Sequence, residues 1–191
     1  MLLILDVDYT LNQFYPPSLQ DIAPARLIEQ SGPLMWEWII QHLREVEYPV
    51  WEKAVEIVHW LHQCEPTVIV STGRPEALRS ETERWLHRSF RFDTLLMRQP
   101  NDFRPNPEIK QDALQKNIVP RIGEKRAYAF EDDATTLTMY QQEGIQTFTA
   151  PACWEQLQPH IEETEPTAIH SVLASYTGLD TGTFRPAERR G

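Results

Sequence analysis

The chain has only two cysteines, Cys64 and Cys153, far apart and without a C-x-x-C neighbour. A disulfide framework and a zinc knuckle are thereby excluded, and both residues read as small apolar side chains. Long hydrophobic runs are missing too. The opening MLLILDVDYTL is apolar only as far as Leu5 before two aspartates intervene, too short for a signal-peptide core or a membrane span. A protein outside the membrane is expected, in the cytoplasm. Positive charge is scarce, with a formal net charge of -10 over 191 residues. That argues against a broad basic surface for sequence-independent nucleic-acid binding, because such affinity comes from Lys and Arg meeting phosphates. A local basic cleft is still allowed. Arg74, Arg98, Arg104 and Lys110 fall in one stretch, although interspersed acids such as Glu76, Asp102 and Glu108 equally fit a solvated face of mixed charge. No phosphate-binding loop of the form G-x-x-x-x-G-K-[ST] occurs, and no internal repeat.

What is present is a regular alternation. Short apolar runs at Leu2–Asp6, Thr67–Ser71, Thr94–Met97, Ala127–Phe130 and Gln146–Thr149 predict strands, each followed by polar or turn-forming residues. Between them lie segments of helical period. Trp51–His62 sets Trp51, Ala54, Val55, Val58 and Leu61 on one stripe, and Glu76–Arg88 does the same with Leu78, Trp85 and Leu86. Asn106 is placed to cap a helix with Pro107 first and Glu108–Asn117 following, and Asp133–Glu143 stops at Gly144. Such alternation implies an α/β fold with a central parallel sheet between helical layers. With 41% apolar residues, one domain over residues 1–163 can fill its core. Two parts stand outside the alternation. Residues 11–48 carry an amphipathic run, Leu34–Val46, and read as a small helical insert at the mouth of the site; its aromatics are expected to pack inward. Residues 164–191 form a tail with one short helical candidate at Ala168–Tyr176.

In open parallel sheets ligands bind beyond the carboxyl ends of the strands. The residues leaving those ends form a set: Asp6, Asp8 and Thr10 in DVDYT; Ser71, Thr72, Gly73 and Arg74 in STGR; Glu131, Asp132 and Asp133 in EDD. Lys110 opens the helix before the fourth strand. Carboxylates from neighbouring strand ends suit one hard cation, and a hydroxyl with an ammonium suits an anion. Two adjacent unpaired aspartates at the end of a buried strand repel each other, which a cation would relieve. His59 and His62 lie three apart, but no further ligand accompanies them, so they read as surface residues.

These motifs, in this order, resemble the haloacid dehalogenase superfamily: D-x-D-x-T after a strand, Ser or Thr after the next, a Lys, and an acidic pair. The resemblance spans about Leu2–Ala150. Tyr9 stands where many members have glycine. By this resemblance the fold is Rossmann-like and the activity is Mg²⁺-dependent phosphomonoester hydrolysis. Asp6 is implied as the nucleophile that forms an aspartyl-phosphate, and Asp8 as general acid and then base. Thr72 would bond a phosphoryl oxygen, with Ser71 as its rival, and Lys110 would neutralise phosphoryl charge, with Lys116 and Lys125 as rivals. Asp6, the Asp8 carbonyl and Asp132 would hold Mg²⁺, joined by Glu131 or Asp133. Within the superfamily, STGR and the stretch MRQPNDFRPNPEIKQDAL look most similar to the phosphatase domain of phage-type polynucleotide kinase-phosphatases. That implies substrate contacts from Gly73, Arg74 and Arg98, and a nucleotide or polynucleotide 3′-phosphate end as substrate. Other phosphorylated small molecules and phosphoproteins are the alternatives. A catalytically silent binding module of the same fold is a further one, which Asp8 disfavours because mere binding needs no acid beside the nucleophile.

Overall fold

The computed structural model describes residues 1–13, 40–41, 44, 48–122 and 126–176. Five parallel strands form one sheet in the order β3-β2-β1-β4-β5. They are β1 (Leu2–Leu5), β2 (Thr67–Pro75), β3 (Thr94–Arg98), β4 (Ala127–Glu131) and β5 (Gln146–Thr149). The expected α/β class and parallel sheet are therefore found. β1 is central, in register from Leu2 opposite Thr67 and Ala127 to Leu5 opposite Val70 and Phe130. Its sequence LLIL is buried throughout because both faces are covered, as a parallel strand between helical layers requires.

Successive side chains divide between two cores. Leu3, Leu5, Val68, Val70, Tyr128 and Phe130 join the larger cluster, with Ala54, Ile57, Val58 and Leu61 of α1 (Glu52–Leu61) and Leu86 of α2 (Arg79–Leu86). Leu2, Ile4, Ile69, Ala127 and Ala129 face the other way. They meet Leu114 and Ile118 of a π-helical turn, and Met139 and Tyr140 of the helix that follows β4. That π turn continues α3 (Asn106–Ala113) and leads into α4 (Val119–Ile122).

The helix after β4 is α5 (Ala134–Gln142), which stops short of Gly144 (φ 75°) as the sequence predicts, and at its start Asp133, read from the sequence as a candidate metal-site acid, caps the helix by accepting from the Thr136 amide at 2.7 Å. Asn106 behaves differently. It is the first residue of α3 and makes no cap bond there; its side-chain oxygen is taken by Arg98 instead. β2 also runs past Ser71 through STGRP, with its register against β3 shifting between Ser71 and Pro75.

After β5, α6 (Ala152–Leu157) puts Trp154 into the core, stacked on Phe130 at 4.9 Å. The short helix expected near Ala168–Tyr176 forms as α7 (Ile169–Ser175), and its Ile169 and Leu173 are fully buried. Most of the helical insert expected over residues 11–48, including Leu34–Val46 apart from Ile40, Gln41 and Arg44, and the tail beyond Tyr176, lie outside the described residues. Among the described residues no helix is long and apolar enough to cross a membrane.

Candidate active site

Chain order 1-2-3 runs outward on one side of β1 and then returns to β4 on the other, so the crevice between β1 and β4 is the place where a ligand fits. Asp6 leaves β1 there, its amide donating to the Phe130 carbonyl at 3.0 Å, and Glu131 and Asp132 leave β4 beside it. Lys110, one turn into α3, reaches across to both. Its Nζ lies 2.7 Å from Asp6 Oδ1 and 2.5 Å from Glu131 Oε2, and all three residues are buried. Thr10 Oγ1 donates to the other Asp6 oxygen at 3.3 Å.

One ammonium thus faces three carboxyls. Burial, and then the Glu131 charge, push Asp6 up to about 7 despite Lys110. Asp132 is raised to about 6 by burial and by Asp6, and burial raises Glu131 as well. Burial opposes the charge on Lys110, but Asp6 and Glu131 outweigh it and hold its pKa above the ordinary lysine value.

The set fits a hard divalent cation. Oxygens of Asp6, Glu131 and Asp132 lie within 4.8 Å of one another, close to the roughly 4 Å span across an octahedral Mg²⁺. Asp133 caps α5 by accepting from the Thr136 amide and hydroxyl, while the two Glu131 oxygens accept from Lys110 and from the Asp133 amide. Lys116 is on the surface with Asp112, and Lys125 lies outside the described residues. His59 and His62 bond the carbonyls of Ser89 and Val58, away from the acids.

Asp8 sits at the rim and is held by three donors: Arg74 Nη2 at 2.5 Å and Nε at 2.8 Å, and Asn12 Nδ2 at 3.0 Å. Arg74 is itself buried and places its guanidinium 5.9 Å from the Trp85 ring. Thr72 Oγ1 accepts from the Arg74 amide at 3.2 Å and keeps its own proton to donate.

Arg98, expected at the substrate, is 3% exposed and donates to protein groups. Nε donates to the Gly73 carbonyl at 2.9 Å, Nη1 to the carbonyls of Asp102 and Arg104 at 3.0 and 2.7 Å, and Nη2 to Asn106. It ties the end of β2 to the start of α3. Gly73 lies under the same tie: a Cβ there would fall 2.4 Å from Asn106 Oδ1. Asn12 and Tyr48 escaped the sequence reading. Asn12 follows Asp8 by one helical turn and is wholly buried, accepting from the Tyr9 amide at 3.0 Å. The Tyr48 carbonyl accepts from Trp85 Nε1 at 3.0 Å, and its phenol is raised by burial and by Asp8.

Residues 41–152 match the family of polynucleotide kinase PNKP phosphatase domains. The chain belongs to that family. It is a phosphatase domain of the haloacid dehalogenase superfamily, as the order of its motifs implies. No curated protein matches the full sequence. Among solved structures, a chain of a Pnkp1/Rnl/Hen1 complex superposes at TM-score 0.55 with 23% identity, covering 78% of this chain and 45% of that one. A chain of a Pnkp1/Rnl/Hen1 RNA repair complex gives 0.54 and 24%, over 78% and 42%. CbbY from Rhodobacter sphaeroides, solved with phosphate, gives 0.52 and 17%, over 78% and 85%. At these identities the phosphatase domain shares their fold, and it spans less than half the length of the two Pnkp1 chains.

Proposed function

We propose that this phosphatase domain removes the 3′-phosphate from nucleotide or polynucleotide ends through an aspartyl-phosphate on Asp6. The observation that carries the reading is the placement of Lys110 between Asp6 and Glu131, with Asp132 alongside. Asp6, the Asp8 carbonyl and Asp132 would hold Mg²⁺, joined by Glu131; there the ion supplies charge neutralisation at the phosphoryl oxygens and keeps Asp6 ionised.

The chain's own groups do the rest. An Asp6 carboxylate oxygen attacks phosphorus, the bond to the leaving alcohol breaks, and Asp8 gives that oxygen its proton. Water then attacks the aspartyl-phosphate, Asp8 takes a proton from it, and inorganic phosphate leaves with Asp6 restored. Thr72 donates to a phosphoryl oxygen, and Lys110 balances charge that both states of the phosphoryl group carry. Arg74 holds the Asp8 carboxylate in place at the rim of the site. Membership of a polynucleotide kinase phosphatase family supports the nucleic-acid end as substrate.

The test is hydrolysis of a generic aryl phosphate and of a 3′-phosphorylated nucleotide, with Mg²⁺ and with EDTA, by the wild type and Asp6→Asn. Turnover should need Mg²⁺ and vanish in the variant, whose amide is nearly isosteric but a poor nucleophile. Turnover that persists in EDTA removes the metal from the mechanism, and an active Asp6→Asn removes the covalent step.

A further inference from the structure

Among the described residues, Asn12 is the only side-chain amide that is fully buried. A carboxamide taken out of water is costly unless both of its ends are bonded. Here both are, and the two partners differ in kind. The Tyr9 amide can only donate, so it takes the Asn12 oxygen, Oδ1, at 3.0 Å. The nitrogen is thereby turned to Asp8 and donates to Asp8 Oδ1 at 3.0 Å. Reversed, the Asn12 oxygen would face a carboxylate oxygen and its NH₂ would face an N–H, so the orientation is set by chemistry. The backbone of Asn12 is fixed as well: its amide donates to the Val7 carbonyl at 3.3 Å, and the residue pairs with Val50 in an antiparallel bridge.

The donors on Asp8 are unevenly shared. Oδ1 accepts from Asn12 Nδ2 at 3.0 Å and from Arg74 Nη2 at 2.5 Å, whereas Oδ2 accepts from Arg74 Nε at 2.8 Å. Each carboxylate oxygen has two lone pairs. Oδ1 is therefore filled, and among the described residues Oδ2 keeps one acceptor site open. Arg74 cannot create this difference, because its fork gives one N–H to each oxygen. Asn12 creates it.

We propose that Asn12 is a positioning residue for Asp8: by filling Oδ1 it makes Oδ2 the oxygen that carries the proton in both transfers. The proposal rests on the acid–base reading of Asp8 in the same site. Oδ2 gives its proton to the leaving oxygen as the P–O bond to the alcohol breaks, and takes one from water as the new P–O bond forms. Without the Asn12 donor, Oδ1 has an open lone pair as well. The proton then divides between two oxygens that point in different directions, and one of the two arrangements is unproductive.

The experiment measures kcat/KM, which reports the step in which the alcohol leaves, on two substrates with Mg²⁺ present. The leaving group of p-nitrophenyl phosphate needs little protonation, and the alkoxide of glycerol 2-phosphate needs it. Wild type, Asn12→Asp, Asn12→Ala and Asp8→Asn are compared, with Tm for each. Asn12→Asp is the decisive variant, since it keeps an oxygen for the Tyr9 amide and removes the donor to Asp8. Its kcat/KM on glycerol 2-phosphate should fall about 10- to 100-fold, up to the size of a misplaced catalytic group, and the loss on p-nitrophenyl phosphate should shrink to a few-fold. Asn12→Ala lacks the same donor and should show the same split, with a lower Tm because the turn also loses its acceptor. If Asn12→Asp loses nothing, or loses equally on both substrates while Asp8→Asn still distinguishes them, the role of Asn12 is overturned. If Asp8→Asn itself loses equally on both, the acid–base reading of Asp8 fails, a result distinct from the first.

Discussion

Asp6 and Asp132 are raised to about 7 and about 6, the first chiefly by burial and Glu131, the second chiefly by burial and Asp6. Mg²⁺ takes carboxylates, so any proton held on either must leave when the ion binds. Protons compete better as pH falls, and the sign of the dependence follows. Apparent Mg²⁺ affinity should be level above pH about 7, drop about tenfold per unit as Asp6 titrates, and steepen further below pH about 6. Calorimetric titration of Mg²⁺ across this range checks it; constant affinity would show that the acids do not bind the ion. Asp8 is tested separately. It is held by Arg74 and Asn12 and does not share Lys110, so Asp8→Asn should leave metal binding in place while removing the proton. We expect kcat to fall about 10²- to 10⁴-fold, and less on a leaving group that needs little protonation. Equal losses on good and poor leaving groups would reject the proton-transfer role.

At the scale of elements, the join between β2 and α3 governs where Lys110 stands. Arg98 clasps the Gly73 carbonyl and the Asn106 side chain together, and a Cβ at Gly73 would meet Asn106 atoms at 2.4, 2.8 and 2.9 Å. Asn106 cannot retreat while Arg98 holds it. Gly73→Ala should therefore push the start of α3, destabilise the domain by about 1–3 kcal/mol and lower kcat by misplacing Lys110. Adding Asn106→Ala opens the space, so the double variant should be more stable than the sum of the single losses, as chemical denaturation will report. Simple additivity would show that the contact does not limit packing. This join also marks where the sequence stopped being legible. Runs such as LLIL and AYAF announce strands because both faces are buried, and D-x-D and EDD announce the site because they stand at strand ends. Arg98 carries no such mark: three of its partners are the backbone carbonyls of Gly73, Asp102 and Arg104, which any residue has. Asn106 satisfies the local rule for a cap, yet a buried guanidinium claimed it first. The extension of β2 through STGRP was hidden likewise, since its pairing with β3 resumes only at Pro75 after a break in register.

For the whole molecule the governing quantity is charge. The chain carries -10, and such a field repels a polyanion over about a Debye length, about 8 Å at physiological salt. A cluster of bare cations at the mouth would offset this locally, but the cations of the 74–110 stretch near the site are already engaged. Arg74 is paired with Asp8, Arg104 with Asp102 and Asp112, and Lys110 with Asp6 and Glu131, while Arg98 is spent on carbonyls and Asn106. Each phosphate that reaches one of these groups must displace a partner, and few condensed counterions are released in return. Recognition should then concentrate on the terminal phosphate and the nucleoside that bears it. We predict that a 3′-phosphorylated nucleotide is hydrolysed better than a sugar phosphate. Lengthening it to an oligonucleotide of about ten residues should bring no gain in kcat/KM, and the log–log salt slope should stay shallower than about -2, against about -0.7 for every phosphate contacted along a single strand. Rates measured from about 0.05 to 0.3 M salt on substrates of graded length decide the matter. A steep slope, or kcat/KM that climbs with length, would mean that a basic track extends away from the mouth, and the picture of an enzyme that reads only an end would have to be given up.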